Sequence, residues 1–275
     1  MRRVLGFVKR TLGRILVAQP SVVPVKVPVL QSDLLKGRTA LITGSTKGIG
    51  FAIAEAFAEA GATVLISGRN RQTIDAAVNK LSKMGRSIYG IEMDMTDIAT
   101  MEKAVANLPA IDILVNNAGF VGGEGFGNTS EQDYDLILDT NLKGAYFLSQ
   151  SVSRMWIKDG VKGNILNVCS ASSLRPGNSP YVLSKWGMRS LTVGMAKQLI
   201  RYGIVVNGIA PGVTDTDKFT HGSGNIAKVT NPSGRMVTRE EIANMAVVLV
   251  SSLCRMVVGD VLYMTGGGGI VTLDD

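Results

Sequence analysis

Short apolar runs, rich in Val, Ile and Leu, alternate along most of the chain with longer stretches in which apolar residues recur every three or four positions. A short apolar run predicts a buried strand, whereas the longer periodic pattern predicts an amphipathic helix. We expect strands at residues 39–43, 63–67, 87–93, 111–115, 163–169, 204–209 and 260–264. Strands that alternate with helices predict an α/β fold, in which helices cover both faces of one parallel sheet.

The segments between these strands predict the helices. We expect helices at residues 51–60, 71–84, 97–107, 131–156, 180–202 and 240–252. The helix at residues 131–156 contains Asn141, and asparagine is less favourable in a helix interior than its neighbours. Such a residue either lies at the surface or marks a site. Residues 213–237 are polar and irregular, which predicts a mobile lid.

The first 33 residues differ from the rest and form an extension to a domain at residues 34–275. In residues 1–18, apolar side chains fall on one side of a helical projection and arginines on the other. Three interpretations remain open: a helix packed on its own domain or on a neighbouring subunit, a peripheral contact with an anionic membrane, or an organelle-targeting presequence. Residues 19–30, where prolines are spaced among valines, predict an extended arm.

Composition narrows the class of protein. The 275 residues contain no apolar run long enough to cross a membrane, so no spanning helix is expected. The net charge is +7, but the basic excess is concentrated in the extension and no nucleic-acid-binding motif accompanies it, so nucleic acid is not an expected partner. Two cysteines and one histidine supply neither a disulfide framework nor a usual zinc site. We therefore expect no metal, a reducing compartment and a cytoplasmic location.

A glycine-rich turn follows the first strand and opens the first helix of the domain. Glycines let the backbone turn sharply and approach a pyrophosphate, while the helix N-terminus supplies free N–H groups and the positive end of a dipole. This arrangement predicts a dinucleotide site. Its residues are Gly44, Ser45, Thr46, Lys47, Gly48, Ile49 and Gly50.

The end of the second strand predicts which dinucleotide is bound. NAD sites usually place a carboxylate there, about 20 residues beyond the glycine turn, to hold the ribose 2′-hydroxyl. This chain instead has Arg69, and Lys47 lies in the glycine turn. Two cations without an acid suit a 2′-phosphate, so NADP(H) is the preferred cofactor and NAD(H) the alternative. Arg69 could instead simply cap a solvated loop.

Tyr181 and Lys185 lie one helical turn apart in a helix whose start is marked by Pro180. They therefore project from the same face. An ammonium beside a phenol stabilises the phenolate, which makes the phenol usable as a proton donor near neutral pH. Reduction of a carbonyl to an alcohol needs such a donor. The pair alone is weak support, because most such pairs are ordinary neighbours on a helix surface.

The order of these motifs resembles that of the classical short-chain dehydrogenase/reductase family, whose fold is a single doubly wound parallel sheet of Rossmann type. The glycine turn is similar to the cofactor turn of the family, and residues 116–119 are similar to the motif that steadies its central sheet. The resemblance implies a catalytic tetrad and further cofactor contacts. The tetrad is Asn141, Ser170, Tyr181 and Lys185; the further contacts are Asp94, Asn117, Ala118, Gly119, Pro211, Gly212 and Thr214, together with Tyr181 and Lys185.

The chain departs from the family pattern in two places. Cys169 and Ser170 stand where the family usually has two serines, and the stretch from Ser170 to Tyr181 is shorter than the common spacing. Ser172 therefore remains an alternative catalytic serine. The last strand is followed by glycines at 266–269 instead of the usual Asp-Gly-Gly, which concerns terminal packing and not the chemistry.

The resemblance implies an NADP(H)-dependent oxidoreductase that transfers a hydride between nicotinamide and a carbonyl or alcohol substrate. A ketone reductase of the 3-oxoacyl or small-ketone type is the first expectation. The alternatives are an NAD-dependent alcohol dehydrogenase of the same family and a catalytically silent, cofactor-binding regulatory protein. The family also implies a homotetramer or homodimer. Substrate specificity is expected in residues 120–127, 171–178 and 213–237, which carry no readable chemical signature.

Overall fold

The computed structural model describes residues 33–83, 87–122, 124–216 and 231–270. The predicted N-terminal extension lies outside these residues except for Asp33, and so does most of the predicted lid. Among the helices of the described residues, none is long and apolar enough to cross a bilayer.

In the described part of the chain, a seven-stranded sheet forms the centre of the fold, and all of its pairings are parallel. The strand order is β3-β2-β1-β4-β5-β6-β7. The strands are β1 (Thr39–Ile42), β2 (Thr63–Gly68), β3 (Ile88–Glu92), β4 (Ile113–Asn116), β5 (Asn164–Val168), β6 (Val205–Pro211) and β7 (Val261–Met264). The predicted α/β fold with a single doubly wound parallel sheet is confirmed.

Helices connect the strands and lie on both faces of the sheet. They are α1 (Gly48–Glu59), α2 (Arg71–Ser82), α3 (Ile98–Ala106), α4 (Glu131–Leu138), α5 (Gly144–Asp159), α6 (Pro180–Leu199) and α7 (Arg239–Val250). Short 3₁₀ turns cover Ala171–Leu174, Ile200–Tyr202 and Ser252–Cys254. The helix predicted at residues 180–202 is therefore α6 followed by a 3₁₀ turn.

Alternate residues of the central strands enter two separate cores. In β1, Ala40 and Ile42 pack into one cluster and Leu41 into the other. β2, β4 and β5 divide their side chains in the same way. Because successive side chains of a strand point to opposite faces, a sheet covered on both faces needs apolar residues at every position. This explains why the strands are continuous apolar runs in the sequence.

The strand order reverses between β1 and β4, which places a crevice at the carboxyl ends of these strands. In a parallel sheet each connecting helix runs back antiparallel to the strands, so the helices begin at the carboxyl edge. α1 and α7 pack against each other. Their first residues therefore lie near each other at this edge, where doubly wound sheets bind ligands.

One predicted helix is interrupted. The sequence predicts a continuous helix at residues 131–156, whereas the structure has α4 and α5 joined by a π-helical turn at Asp139–Lys143. Asn141 lies in that turn and is buried. Its side chain bonds the main chain of Phe120 on another loop, and π-turns are frequent at functional sites. The prediction of a continuous helix was wrong at these residues. The π-turn occurs together with the bonds to Phe120, a contact between distant parts of the sequence that a local pattern does not show.

Candidate functional site

A cavity of about 620 Å³ opens at the carboxyl edge of the sheet, at the switch point between β1 and β4. Its walls come from the glycine turn, the ends of β2 to β6, and the starts of α6 and α7. Most of the predicted site residues line it: Gly44, Thr46, Lys47, Gly48, Ile49, Gly50, Arg69, Asp94, Asn117, Ala118, Gly119, Ser170, Tyr181, Lys185, Pro211, Gly212 and Thr214. Ser45 and Asn141 are not part of the lining.

The glycine turn brings bare main chain to the cavity. Gly44 has a φ of 60°, and a Cβ added there would lie 2.8 Å from the Cα of Ala118. Gly48 has a φ of 62°, and a Cβ added there would meet no atom within 4 Å. Both φ values lie in the left-handed region that favours glycine. α1 begins at Gly48 with no acidic residue in its first turn, so its N–H groups suit an anionic ligand.

Side chains directly after β1 and β4 hold this turn in place. The Thr43 hydroxyl accepts hydrogen bonds from the main-chain N–H groups of Asn117 and Ala118, each at 3.0 Å. The Asn117 amide donates to the carbonyl oxygens of Thr43 and Gly44, at 2.9 and 3.0 Å. Asn117 therefore acts on the glycine turn with its side chain, while its backbone continues along the cavity wall.

Ser45 supports the turn from below and does not face the cavity. It is fully buried. Its hydroxyl donates to the carbonyl oxygen of Ile42 at 2.7 Å and accepts from the main-chain N–H of Ser67 at 3.0 Å, which ties β1 to the end of β2. Sequence analysis predicted that Ser45 contacts the cofactor, but its side chain does not reach the cavity. The side chain instead holds the glycine turn in position.

The charge of the described lining is positive. Arg69 after β2 and Lys47 in the glycine turn are both exposed, and Lys185 and Arg239 are the other cations of the lining. Asp94 after β3 is the one carboxylate among the described lining residues. This balance raises the local concentration of anionic ligands.

α6 presents Tyr181 and Lys185 to the cavity. The Ser179 hydroxyl caps the helix by accepting a main-chain N–H at 3.4 Å, and Pro180 occupies the first turn. Lys185 is 6% exposed, and its Nζ lies 5.8 Å from the centre of the Tyr181 ring. The Nζ donates to the carbonyl oxygen of Val168 at 2.9 Å, which leaves two of its three N–H groups for other partners.

Ser170 follows β5 and lines the cavity, whereas Ser172 does not. The Ser170 hydroxyl accepts the main-chain N–H of Ser172 at 3.1 Å, and its own proton stays available to a ligand. Of the two alternatives, Ser170 is the serine that shares the cavity with Tyr181 and Lys185.

Asn141 reaches this region indirectly. Its Oδ1 accepts the main-chain N–H of Phe120 at 2.7 Å, and its Nδ2 donates to the Phe120 carbonyl oxygen and to the Ser184 hydroxyl, each at 3.0 Å. Its amide therefore joins the loop after β4 to α6. The neighbouring Thr140 lines the cavity, while Asn141 itself is only 1% exposed.

Comparison with known proteins agrees with this geometry. The family model described as short chain dehydrogenase matches residues 38–224. The chain belongs to the short-chain dehydrogenase/reductase family. Gluconate 5-dehydrogenase of Gluconobacter oxydans is 36% identical over 248 residues, which cover 85% of this chain and 95% of that protein. The 3-oxoacyl-[acyl-carrier-protein] reductase of Aquifex aeolicus is 36% identical over 243 residues, which cover 85% of this chain and 98% of that protein.

Solved structures place the chain in the same family. A gluconate 5-dehydrogenase from Burkholderia cenocepacia, in complex with NADP and tartrate, matches with a TM-score of 0.80 at 33% identity and covers 88% of this chain and 99% of that one. The named relatives are dehydrogenases and reductases. This short-chain dehydrogenase/reductase is therefore an oxidoreductase that acts on a CH–OH or C=O group.

Three polar residues of the lining were not among the predicted site residues: Thr140, Thr216 and Arg239. The predicted Thr214 is 3% exposed, and its hydroxyl donates to the Gly212 carbonyl oxygen at 3.1 Å. Thr216 lies in the same segment after β6. Its position two residues after Thr214 could have indicated that it also lines the cavity. Arg239 is the first residue of α7, a helix that sequence analysis began one residue later.

Cys169 also lines the cavity of this short-chain dehydrogenase/reductase, next to Ser170. Burial raises the pKa of its thiol, and the charge of Lys185 opposes that shift only in part. The thiol is 2% exposed, and its Sγ lies 3.8 Å from the Thr192 hydroxyl. A buried, protonated thiol is a poor nucleophile, so we assign it no chemical role. Within the described residues, no cluster of His, Cys, Asp and Glu is arranged to hold a metal ion.

A buried polar network lies beneath the site and joins two strands to two helices. The Nδ2 of Asn116 donates to the Ser149 hydroxyl and to the Oδ1 of Asn167, both at 2.8 Å. The Nδ2 of Asn167 donates to the Thr192 hydroxyl at 2.9 Å. The network gives a physical basis for a sheet-steadying role of residues 116–119, since it fixes β4 and β5 against α5 and α6.

Proposed function

We propose that this short-chain dehydrogenase/reductase is an NADP(H)-dependent ketone reductase. One observation carries the proposal: a single cavity combines the cations Lys47 and Arg69 with Ser170, Tyr181 and Lys185. Two cations without a carboxylate at the end of β2 favour a 2′-phosphate over a free ribose hydroxyl. A structural neighbour at 33% identity, solved with NADP, supports the same cofactor.

The main chain around the cavity fits such a dinucleotide. The left-handed glycines Gly44 and Gly48 leave no side chain between the turn and a diphosphate, and the N-terminus of α1 offers its N–H groups. Asp94 would hold the adenine, and the segment from Pro211 to Thr214 would contact the carboxamide of the nicotinamide. We further propose Thr216 as a second hydroxyl of that segment.

The bound cofactor would supply the hydride, while the protein supplies position and charge. Tyr181 would donate a proton to the developing alkoxide in reduction, or accept one in oxidation. Lys185 would stabilise the phenolate through its charge and hold the nicotinamide ribose through its remaining N–H groups. Ser170 would donate a hydrogen bond to the substrate oxygen, where negative charge builds up.

Asn141 would support proton supply to Lys185 through a bound water molecule. Its amide is already used by Phe120 and Ser184. The water would therefore bind the main-chain carbonyl oxygen of Asn141, because a carbonyl has two lone pairs. The side chain of Asn141 would thus position the π-turn, and its main-chain carbonyl oxygen would bind the water.

The substrate class is proposed from the relatives and from the wall of the cavity. The relatives named above act on gluconate and on 3-oxoacyl thioesters. Phe120 and Val121 line the cavity, and both have large exposed apolar surfaces, so this wall suits a substrate with an apolar part. We therefore propose a 3-oxoacyl or small ketone first, and a keto sugar acid second.

The domain and its assembly are also proposals. Residues 34–275 would form the catalytic domain, in support of which the family model begins at residue 38. A homodimer or homotetramer would form through α5 and α6, because Tyr146, Leu183, Trp186 and Val193 are 41 to 51% exposed on these helices. Light scattering of the purified chain measures the assembly, and a monomer would contradict it. A cytoplasmic location stays a prediction.

The function is tested by following NADPH oxidation by the full-length protein with a panel of carbonyl compounds. The panel contains a 3-oxoacyl thioester, small ketones, a keto sugar acid and a steroid ketone, and NADH is run in parallel. Turnover with NADPH that exceeds turnover with NADH supports the reductase. NADPH binding without turnover of any carbonyl would favour the regulatory alternative, and preferred use of NAD with an alcohol would favour the dehydrogenase.

A further inference from the structure

Among the lining residues that the structure describes, the proposed function leaves one cation without a ligand. Lys47 and Arg69 suit the 2′-phosphate, and Lys185 acts with Tyr181, but Arg239 has no such role. We propose that Arg239 binds the diphosphate of the dinucleotide, as a contact that serves NADPH and NADH alike. This inference rests on the proposed function only in requiring that a dinucleotide occupies the cavity.

The position of Arg239 in the fold points to the diphosphate. It is the first residue of α7, which packs along α1. Both helices begin at the carboxyl edge of the sheet, and Arg239 lines the same cavity as Gly48 and Ile49 at the start of α1. In doubly wound folds the diphosphate lies at the N-terminus of that first helix. Thr216 lines the cavity as well and extends the polar wall.

Local helix chemistry argues that Arg239 is not there to stabilise α7. The N-terminus of a helix carries partial positive charge, so a cation in the first turn is unfavourable. The rest of this turn follows the favourable pattern, with Glu240 and Glu241 and a capping box between Thr238 and Glu241. A residue that breaks a local rule beside a ligand cavity is a candidate for function.

Asp215 holds the inner part of the Arg239 side chain. Its Oδ1 accepts the main-chain N–H of Arg239 at 2.8 Å and lies 3.4 Å from the Nε. The ion pair is therefore in place, although the buried Nε makes no hydrogen bond. The Asp215 side chain is 14% exposed, and that of Arg239 is 33% exposed. Asp215 thus holds the Nε end of the Arg239 guanidinium in position and offsets part of its positive charge.

The outer nitrogens of Arg239 are left for a ligand. Within the residues that the structure describes, neither terminal nitrogen has a hydrogen-bond partner. The two outer N–H directions of a guanidinium match two oxygens of a phosphate group. An arginine held at its Nε by a carboxylate, with its outer edge on a cavity, is therefore preorganised for a phosphate oxygen pair.

The test measures ligand binding to the full-length protein, with no substrate present. Arg239→Gln removes the charge, and calorimetry gives the Kd of four ligands: NADPH, NADH, ADP-ribose and 2′-AMP. The first three contain the diphosphate, whereas 2′-AMP carries only the 2′-phosphate. Loss of a hydrogen bond to a charged group predicts Kd values about 10- to 100-fold higher for the three diphosphates, with 2′-AMP unchanged.

Two further variants control for charge and for the 2′-phosphate. Arg201→Gln removes an exposed arginine after α6, away from the cavity lining, and should leave all four Kd values unchanged. Arg69→Gln should weaken NADPH and 2′-AMP and spare NADH and ADP-ribose. Thermal unfolding without ligand should show that Arg239→Gln still folds, since loss of the ion pair with Asp215 is offset in part by removal of a cation that opposes the helix dipole. If that variant fails to fold, Arg239→Lys is used, which keeps the charge but loses the paired contact.

The outcomes separate this inference from the proposed function. If Arg239→Gln binds ADP-ribose and NADH as tightly as the wild type does, the diphosphate contact is overturned. If the wild type itself binds no dinucleotide, the proposed function fails first. Preference for NADH over NADPH would contradict the cofactor proposal and still leave the Arg239 measurement valid.

Discussion

The Nζ of Lys185 donates a hydrogen bond to the main-chain carbonyl oxygen of Val168, 2.9 Å away. Val168 is the last residue of β5, and Lys185 lies one turn after Tyr181 in α6. Together with the bond from Asn167 to Thr192, this contact fixes α6 against the strand end that precedes Ser170. Tyr181 and Ser170 are brought to one cavity by a lysine that also remains able to bind a ligand.

Replacement of Tyr181 by Phe is expected to abolish most of the turnover. The ring and its packing remain, and only the proton donor is lost, which typically costs about 100- to 10,000-fold in rate. The measurement is kcat with NADPH, together with the Kd of NADPH, which should change little. Tyr89→Phe serves as the matched control because Tyr89 is 56% exposed on β3. Near-normal turnover of Tyr181→Phe would remove Tyr181 from the mechanism.

Addition of a methyl group at two glycines is expected to have opposite effects. Gly44→Ala should destabilise the glycine turn and prevent NADPH binding, because its Cβ would lie 2.8 Å from the Ala118 Cα at a φ of 60°. Gly194 lies inside α6, and a Cβ there would meet no atom within 4 Å. Gly194→Ala should therefore stabilise the protein by about 0.5–1 kcal/mol. Urea denaturation and an NADPH titration of both variants check the contrast, and unimpaired binding by Gly44→Ala would contradict it.

Removal of the Asn167 amide is expected to destabilise the whole domain. Asn167 is fully buried and bonds Asn116 and Thr192. Asn167→Ala would remove one of the two hydrogen bonds of the Asn116 Nδ2 and the bond that the Thr192 hydroxyl accepts, and would leave a new void. These losses should lower the free energy of unfolding by about 2–4 kcal/mol. Asn79→Ala, on the exposed side of α2, should change that free energy by less than about 0.5 kcal/mol. Equal free energies of unfolding for the two variants in urea denaturation would show that the network does not stabilise the domain.

Acid is expected to weaken the start of α7. The hydrogen bond from Arg235 lowers the pKa of Glu241 from 4.5 to about 2, with a further contribution from the Thr238 N–H. The carboxylate therefore stabilises the folded state fully above pH 4.5, and this contribution is lost as the pH falls toward 2. Because both side chains are partly exposed, the effect should be modest and should shrink in high salt.

The measurement for Glu241 is the pH dependence of the free energy of unfolding. Wild type should lose more stability between pH 4.5 and 2 than Glu241→Gln does, whereas Glu240→Gln should follow the wild type. Parallel curves for wild type and Glu241→Gln would show that the ion pair with Arg235 does not act on stability.

Features that depend on local chemistry could be predicted from the sequence. The continuous apolar runs identified the strands, because both faces of the sheet are covered. Pro180 marked the start of α6, and spacing alone placed Tyr181 and Lys185 on one face. The glycine turn was recognisable because a strand, a left-handed glycine and a helix start follow one another within a few residues.

Features that depend on contacts distant in sequence could not be predicted. The π-turn accompanies bonds between Asn141 and Phe120, and the network pairs Asn116 with Asn167 across two strands. Ser45 is a polar residue in the glycine turn and was therefore expected to contact a ligand. Its hydroxyl instead bonds the main chain of Ile42 and Ser67, which links β1 to β2. Arg239 joins the cavity only because α7 packs beside α1, which no local pattern reveals.

The packing of α1 against α7 also sets the order in which the protein can be completed. β1 can pair with β2 soon after both have been synthesised, but its pairing with β4 requires residues 113–116. The face of α1 that packs on α7 is covered only after residues 239–250 have been synthesised. Pairing across such separations is slow, and uncovered apolar surface aggregates readily. The apolar surface of α1 is thus most exposed to aggregation just before α7 leaves the ribosome. Premature termination ahead of α7 would remove a wall of the core that α1 needs.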